Sequence, residues 1–187
     1  MNLSQASQQR LELLAKDSGK RVLLPCPMDR RALDFSSNDY LCLAQRGDLV
    51  EAGHECAKQY GAGATGSRLL SGNLECFEAL EAQVAQFKNA EAALVLSSGY
   101  QTNASGLAAL LDKSLWGGVE PLVFTDRLNH ASLHHACQLA GIRQIRFRHN
   151  DMAHLAELLA KHAESTQPKI IVTETVFGME GDLLPVE

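Results

Sequence analysis

The stretch AALVLSSGYQTN, residues 92–103, combines an apolar run with a Ser-Ser-Gly turn. Its apolar first half, 92–96, predicts a strand buried on both faces, and the Ser-Ser-Gly that follows predicts a tight turn into a helix. The first N–H groups of a helix have no intrahelical partner and lie at the positive end of its macrodipole. Gly99 and Tyr100 are therefore candidate ligands of a phosphate group, with a plain strand-to-helix connection as the alternative.

Strand and helix patterns alternate along the chain after this turn. The predicted order is a helix to about residue 111, strand 122–125, helix 131–140, strand 142–147, helix 152–163 and strand 169–173. Such alternation predicts an α/β protein with a mainly parallel sheet and helices on both faces. Ligands of such sheets bind beyond the carboxyl ends of the strands. Polar residues follow the predicted strands there, at 126–130, 149–151 and 174–182.

Before residue 92, the patterns predict three helices and one strand: helices at 4–16, 48–60 and 74–87, and a short strand near residue 33. Asn73 is the predicted N-cap of the third helix. The preceding glycine-rich segment, GAGATGSRLLSGN at 61–73, fits neither the Walker A nor the dinucleotide-binding pattern. It is either a flexible surface loop or a backbone surface for a ligand or partner subunit, with Arg68 as a positive charge for a phosphate or carboxylate.

The composition is typical of a globular protein, with 187 residues of which 45% are hydrophobic and 21% charged. The net charge of −5 disfavours a nucleic acid or an anionic membrane as partner. Five scattered cysteines predict reduced thiols, and the lack of a signal peptide or apolar span predicts a cytoplasmic protein. His130 and His134 lack the His-Glu-x-x-His frame of a zinc helix, so no metal is predicted. Without Gly-x-Ser-x-Gly, a hydrolase is disfavoured too.

Six ordered motifs resemble those of the α-oxoamine synthases, which are pyridoxal-phosphate enzymes of the aspartate-aminotransferase fold (fold type I). The motifs are SSNDYL at 36–41, the glycine-rich segment at 61–73, SGYQTN at 98–103, LNHASL at 128–133, HND at 149–151 and TETVFGMEGD at 173–182. The resemblance implies an incomplete large, cofactor-binding domain at 46–187, preceded at 1–45 by a helical arm and a small-domain segment. It also implies a homodimer with the active site at its interface.

The implied reaction joins an amino acid to an acyl thioester, with loss of CO2 and a free thiol, on pyridoxal 5'-phosphate as cofactor. The motifs at 36–41 and 61–73 favour L-alanine and a pimeloyl thioester, carried on coenzyme A or a carrier protein, as in biotin biosynthesis. Glycine-using and serine-using members of the family are the alternatives. A different class also stays open, namely a noncatalytic cofactor-binding module or an inactive partner subunit.

The resemblance also assigns roles to residues of the chain. Those implied to bind the cofactor are Gly99, Tyr100, His130 and Gly178, with His130 stacked on its ring near the substrate carboxylate. Those implied to bind substrate are Arg21, Asn38, Ser67 and again His130. Those implied to orient other polar groups of the site are Asn103 and Glu174.

Three departures from the family pattern qualify these assignments. Gly178 stands where the family has a serine that reaches the cofactor, and Cys42 replaces a glycine. The family's aspartate for the pyridinium nitrogen, the histidine after it and the lysine that forms the internal imine would all follow Glu187. We therefore expect the 187-residue chain to be inactive alone, and its sheet to leave an unpaired apolar edge that promotes association.

Overall fold

The computed structural model describes residues 2–185 apart from 18, 20, 24 and 26–34. The chain forms two compact units, Met1–Gly63 and Ala64–Glu187. The boundary between residues 45 and 46 concerns the family's domains, and it stays a prediction.

The first unit contains helices α1 (Leu3–Lys16) and α2 (Gly47–Tyr60). α1 begins with a capping box, in which the Asn2 side chain accepts from the Gln5 N–H and the Gln5 side chain accepts from the Asn2 N–H. α2 ends at Gly61, whose φ of 83° suits glycine. The strand predicted near residue 33 falls mostly outside the described residues, and the described residues 35–46 form turns without a strand.

The second unit contains the remaining elements. In chain order they are α3 (Glu75–Lys88), α4 (Gly99–Thr102), a π-helical turn (Asn103–Leu107), α5 (Ala108–Leu111), a 3₁₀ turn (Lys113–Trp116), β1 (Leu122–Asp126), α6 (Ala131–Leu139), β2 (Gln144–Phe147), α7 (Met152–Lys161) and β3 (Lys169–Val172). The predicted helix to residue 111 is confirmed as a helical run that passes through the π turn. The strands and helices predicted after it are confirmed within a few residues at their ends.

A three-stranded parallel sheet with the order β2-β1-β3 forms the centre of this unit. Successive side chains of a strand point to opposite faces, so Val123 and Phe124 of β1 belong to different layers of the core. One layer contains Leu111, Val123, Cys137, Ile142 and Val172. The other contains Phe124, Phe147 and Leu155. Helices α5 and α6 thus cover one face and α7 the other, as predicted for an α/β protein.

The predicted strand at 92–96 is wrong, because this segment pairs with no strand among the described residues. Leu94 is 67% exposed instead of buried. The backbone of Val95 is satisfied by side chains: its N–H donates to Glu81 Oε1 at 2.8 Å, and its carbonyl accepts from Arg68 Nη1 at 3.1 Å. An apolar run indicates a strand only where a neighbouring strand supplies the backbone partners.

The predicted N-cap of α3 is also wrong. The helix begins at Glu75, with Leu74 at the N-cap position and no side-chain cap. The Asn73 side chain instead accepts from Arg68 Nε at 2.8 Å and donates to Glu78 Oε1 at 3.0 Å. The sequence pattern predicts Asn73 as a cap because it does not show that the Arg68 guanidinium uses the Asn73 side-chain oxygen.

Helices long and apolar enough to cross a membrane are not found in the part of the chain that the structure describes. The four described cysteines, Cys42, Cys56, Cys76 and Cys137, are free thiols.

Candidate functional site

The turn into α4 presents unpaired backbone N–H groups. Ser98 caps the helix: its Oγ accepts from the Gln101 N–H at 3.1 Å, and its carbonyl accepts from the Thr102 N–H at 2.9 Å. Among the described residues, no acceptor bonds to the N–H of Gly99 or Tyr100. A Cβ built on Gly99 would meet no atom within 4 Å, so the backbone is open to a ligand. Two adjacent N–H groups at a helix start suit a phosphate oxygen.

His130 lies at the carboxyl end of the sheet and is the N-cap of α6. Its Nδ1 accepts from the Ser132 N–H at 3.2 Å and lies 2.7 Å from Ser132 Oγ. Its own backbone N–H donates to the Glu174 carboxylate, which follows β3. His130 is exposed to solvent, but Ser132 fixes its imidazole and Glu174 fixes its backbone.

Asn103 links the turn at Gly99 to His130. It begins the π-helical turn and donates from Nδ2 to Ser132 Oγ at 2.9 Å. One helical turn earlier, the Tyr100 hydroxyl lies 3.0 Å from Nδ1 of His135 on α6. The structure therefore brings together five predicted site residues: Gly99, Tyr100, Asn103, His130 and Glu174. Their contacts join α4, α6 and the segment after β3.

A second polar network at the strand ends was not predicted. The Asp126 carboxylate at the end of β1 is fully buried, and it lies 3.1 Å from His149 Nδ1. His149 Nε2 lies 3.0 Å from Asp182 Oδ2, and Asn150 donates to the same oxygen at 2.9 Å. The network fixes the segment after β3 against the ends of β1 and β2. In the sequence, the only indication of this network was that its residues follow predicted strands.

The charge of His149 depends on this network. Burial lowers the pKa of the imidazole, but the hydrogen bonds and negative charges of Asp126 and Asp182 outweigh burial and raise the pKa above its ordinary value. The His149 ring also packs edge-on against Phe177, with 4.5 Å between the ring centroids. When it is protonated, His149 bridges the Asp126 and Asp182 carboxylates.

We expect the His149 network to stabilise the fold less as the pH rises. A raised pKa contributes stability that is fully present below the unfolded value of about 6.5 and is lost as the pH rises through the folded pKa. Urea unfolding at about pH 6 and about pH 9 should therefore show a smaller difference between wild type and His149→Gln at the higher pH. The exposed control His54→Gln should show no such trend. A difference that grows with pH would contradict the assignment.

Arg68 does not offer the free charge predicted for a ligand. Its guanidinium pairs with the Glu81 carboxylate, with 2.5 Å from Nη1 to Oε1 and 3.0 Å from Nη2 to Oε2, and lies 4.8 Å from the Phe77 ring centroid. The sequence could not show this pairing, because Glu81 lies thirteen residues away. The ion pair ties the glycine-rich segment to α3 and to Val95, just before the turn at Gly99.

The Glu81 carboxylate should make the fold sensitive to acid. The Arg68 hydrogen bonds, with a second contribution from the Val95 N–H, lower the pKa of Glu81 from 4.5 to about 2. A lowered pKa contributes stability that is present above the unfolded value and is lost as the pH falls through the folded one. We expect the stability difference between wild type and Glu81→Gln to be constant above about pH 5.5 and to shrink toward pH 2. The exposed control Glu157→Gln should show no matching loss, and a difference unchanged down to about pH 2 would contradict this prediction.

Comparison with known proteins identifies the family. The family model described as aminotransferase class I and II matches residues 30–187. The chain belongs to the aminotransferase class I and II family. Within this family, it is 49% identical over 185 residues to an 8-amino-7-oxononanoate synthase of Gluconacetobacter diazotrophicus, covering 94% of this chain and 46% of that protein. A protein of Paramagnetospirillum magneticum that carries the same name provisionally is 54% identical over 182 residues, covering 92% and 46%. The chain thus spans about half the length of these curated relatives.

Solved structures place this chain in fold type I. A serine palmitoyltransferase of S. paucimobilis, solved with pyridoxal phosphate and myriocin bound, has a TM-score of 0.69 and 30% identity, covering 76% of this chain and 34% of that chain. An 8-amino-7-oxononanoate synthase of Francisella tularensis has a TM-score of 0.65 at 24% identity, covering 83% and 41%. The predicted fold is therefore confirmed, as part of a domain.

Four further residues were predicted to belong to the site: Arg21, Asn38, Ser67 and Gly178. Arg21 and Asn38 are exposed residues of the first unit. Ser67 is exposed in the glycine-rich segment, where its Oγ accepts from the Leu69 N–H at 3.3 Å. Gly178 is exposed in the turn after β3, which a hydrogen bond from the Gly181 N–H to the Phe177 carbonyl closes at 2.8 Å.

A metal site is not found among the described residues, where no three His, Cys, Asp or Glu side chains are grouped to hold an ion. His134 lies four residues after His130, the spacing of a zinc-binding helix, but its Nδ1 contacts Gln144 Oε1 at 2.6 Å.

Proposed function

We propose that this chain carries part of the active site of an α-oxoamine synthase with 8-amino-7-oxononanoate synthase activity. The reaction is the decarboxylative condensation of L-alanine with a pimeloyl thioester, which releases CO2 and a free thiol in biotin biosynthesis. Its single strongest support is the open pair of N–H groups at Gly99 and Tyr100, linked through Asn103 and Ser132 to His130. The family membership and the names of the curated relatives agree with this activity.

The residues around α4 fit pyridoxal 5'-phosphate. The N–H groups of Gly99 and Tyr100 would hold the phosphate, and the exposed imidazole of His130 would cover one face of the pyridine ring. When bound, the cofactor supplies an electron sink for the negative charge that develops at the α-carbon of the amino acid. Gly178 provides no hydroxyl, so its contact with the cofactor would be limited to the backbone.

The surrounding side chains would bind and orient the substrates. His130 Nε2 would donate to the carboxylate of L-alanine, and Glu174 holds the His130 backbone in place. Asn38 and Ser67 would line the acyl-thioester side, and Arg21 would pair with a substrate carboxylate. In this proposal the site lies at the interface of a cytoplasmic homodimer.

A thiol-release assay tests the proposal. Because the 187 residues alone are expected to be inactive, the assay uses the protein encoded by the whole gene. It is incubated with pyridoxal phosphate, one amino acid and one acyl thioester, and the free thiol is measured for each combination. We expect release with L-alanine and a pimeloyl thioester on coenzyme A or carrier protein, and much slower release with glycine or serine. Release without added amino acid would indicate simple thioester hydrolysis and would overturn the proposal.

Serine use is the second candidate, because the serine palmitoyltransferase structure resembles this chain over 76% of its length. The same assay with L-serine and palmitoyl-coenzyme A decides between the two. Faster thiol release with this pair than with L-alanine and pimeloyl thioester would favour the serine-using activity.

The gene sequence beyond the codon for Glu187 gives an independent test. An aspartate, a histidine and a lysine in the spacing of the family would support a catalytic protein. A stop codon at position 188 would favour the noncatalytic module or partner subunit.

A further inference from the structure

The Nδ1 atom of His130 lies close to two polar groups of Ser132. One is the backbone N–H of Ser132, at 3.2 Å, and the other is Ser132 Oγ, at 2.7 Å. A backbone N–H can only donate a hydrogen bond. Nδ1 must therefore present its lone pair, since a proton on Nδ1 would point at the proton of the Ser132 N–H.

The hydroxyl of Ser132 agrees with this assignment. Ser132 is fully buried, and its Oγ accepts from Asn103 Nδ2 at 2.9 Å. The hydroxyl proton is then free to point at Nδ1, which lies within hydrogen-bond distance. Asn103, Ser132 and His130 thus form a chain in which every hydrogen bond runs in one direction, toward Nδ1.

We propose that Asn103 and Ser132 are positioning residues that hold His130 as the neutral imidazole with its proton on Nε2. With Nδ1 used as an acceptor, the second nitrogen of a neutral ring must carry the proton. Among the described residues, no side chain or backbone group bonds to Nε2. The exposed edge of the ring is therefore a hydrogen-bond donor.

This tautomer sets what His130 can do at the site, an extension that rests on the proposed function. An Nε2–H group donates to an anionic or carbonyl oxygen, but it does not accept a proton from a substrate carbon. His130 would accordingly orient the substrate carboxylate, and proton abstraction would need another group. The π turn at Asn103–Leu107 contributes by placing the Asn103 amide against Ser132.

The tautomer can be measured directly by NMR. Protein labelled with 15N in the histidine rings is studied without cofactor or substrate, and the His130 signals are assigned by their loss in His130→Gln. We expect long-range 15N–1H correlations typical of a protonated Nε2 and a hydrogen-bonded, unprotonated Nδ1. A protonated Nδ1, alone or together with Nε2, would overturn the proposal.

Asn103→Asp reverses the hydrogen-bond chain with almost no change of shape. The aspartate can only accept, so it would accept a hydrogen bond from the Ser132 hydroxyl, and an oxygen lone pair of Ser132 would then face Nδ1. We expect the fraction with protonated Nδ1 to rise, because the Ser132 hydroxyl would no longer donate to Nδ1 and the longer hydrogen bond from the Ser132 N–H, at 3.2 Å, would alone favour the lone pair. Asn89→Asp, the same change at the exposed C-cap of α3, should leave the His130 signals unchanged. Equal spectra for Asn103→Asp and wild type would contradict the role of Asn103.

The two proposals fail separately. The NMR experiment needs no catalysis, so an absent thiol-release activity would leave the tautomer assignment intact. A wrong tautomer would in turn leave the activity proposal open to its own assay.

Discussion

Phe124→Ala is expected to lower the free energy of unfolding by about 3–5 kcal/mol, the largest stability effect that we predict for a single side chain. Phe124 lies in the central strand β1 and is completely buried against Phe147 and Leu155. Removing its ring leaves a cavity between the sheet and α7, because close-packed neighbours relax only partly into such a space. The ring also packs edge-on against His162, with 5.8 Å between the centroids, and that contact is lost as well.

Chemical denaturation of the purified protein checks this prediction. Phe87→Ala is the matched control, because Phe87 is 83% exposed at the end of α3. Its loss should change stability by no more than about 0.5 kcal/mol. If Phe124→Ala cost less than about 1 kcal/mol, the packing of this layer would be wrong.

His130→Ala is expected to lower kcat/KM for thiol release roughly 10-fold to 10²-fold. A hydrogen bond to a charged group contributes about 1.5–3 kcal/mol, and each 1.36 kcal/mol corresponds to a tenfold change in rate. The alanine also removes the ring that would cover the cofactor. Without the imidazole, the Ser132 hydroxyl also loses its hydrogen-bond acceptor, Nδ1 at 2.7 Å.

The thiol-release assay on the protein encoded by the whole gene, with saturating pyridoxal phosphate, measures this effect. His54→Ala, which removes an exposed imidazole from α2, serves as the control and should keep wild-type kcat/KM. A thermal melt of both variants separates lost activity from lost folding. An active His130→Ala with unchanged kcat/KM would contradict the role of His130 while leaving the fold assignment untouched.

Local signals account for the elements that the sequence predicted well. Asp151 accepts from the His154 N–H at 2.8 Å and begins α7, and both residues lie within one turn of chain. The turn at Gly99 was predicted from the Ser-Ser-Gly at 97–99, and Ser98 caps the helix by accepting from the Gln101 N–H, three positions away. Contacts between residues three positions apart depend only on the local sequence, so they can be predicted from a single sequence.

Residues that depend on distant partners were predicted poorly. Arg68 was predicted to be a ligand-binding charge, but Glu81 and the Val95 carbonyl, 13 and 27 residues away, use the guanidinium. The Asp126, His149 and Asp182 network joins residues 23 and 33 positions apart, and no local pattern distinguishes these three from other polar residues after strands.

The α/β class, the positions of most helices and the residues that could bind a phosphate or supply an imidazole were predictable from the sequence. These features depend on hydrophobic periodicity and on capping within one or two turns of chain. The structure was needed to show that residues 92–96 pair with no strand among the described residues, that Glu81 pairs with Arg68, and that Asn103 donates to Ser132, which contacts His130. The physical reason is the same in each case: hydrogen bonds and ion pairs act over about 3 Å, and only folding brings groups that are distant in the chain to that distance.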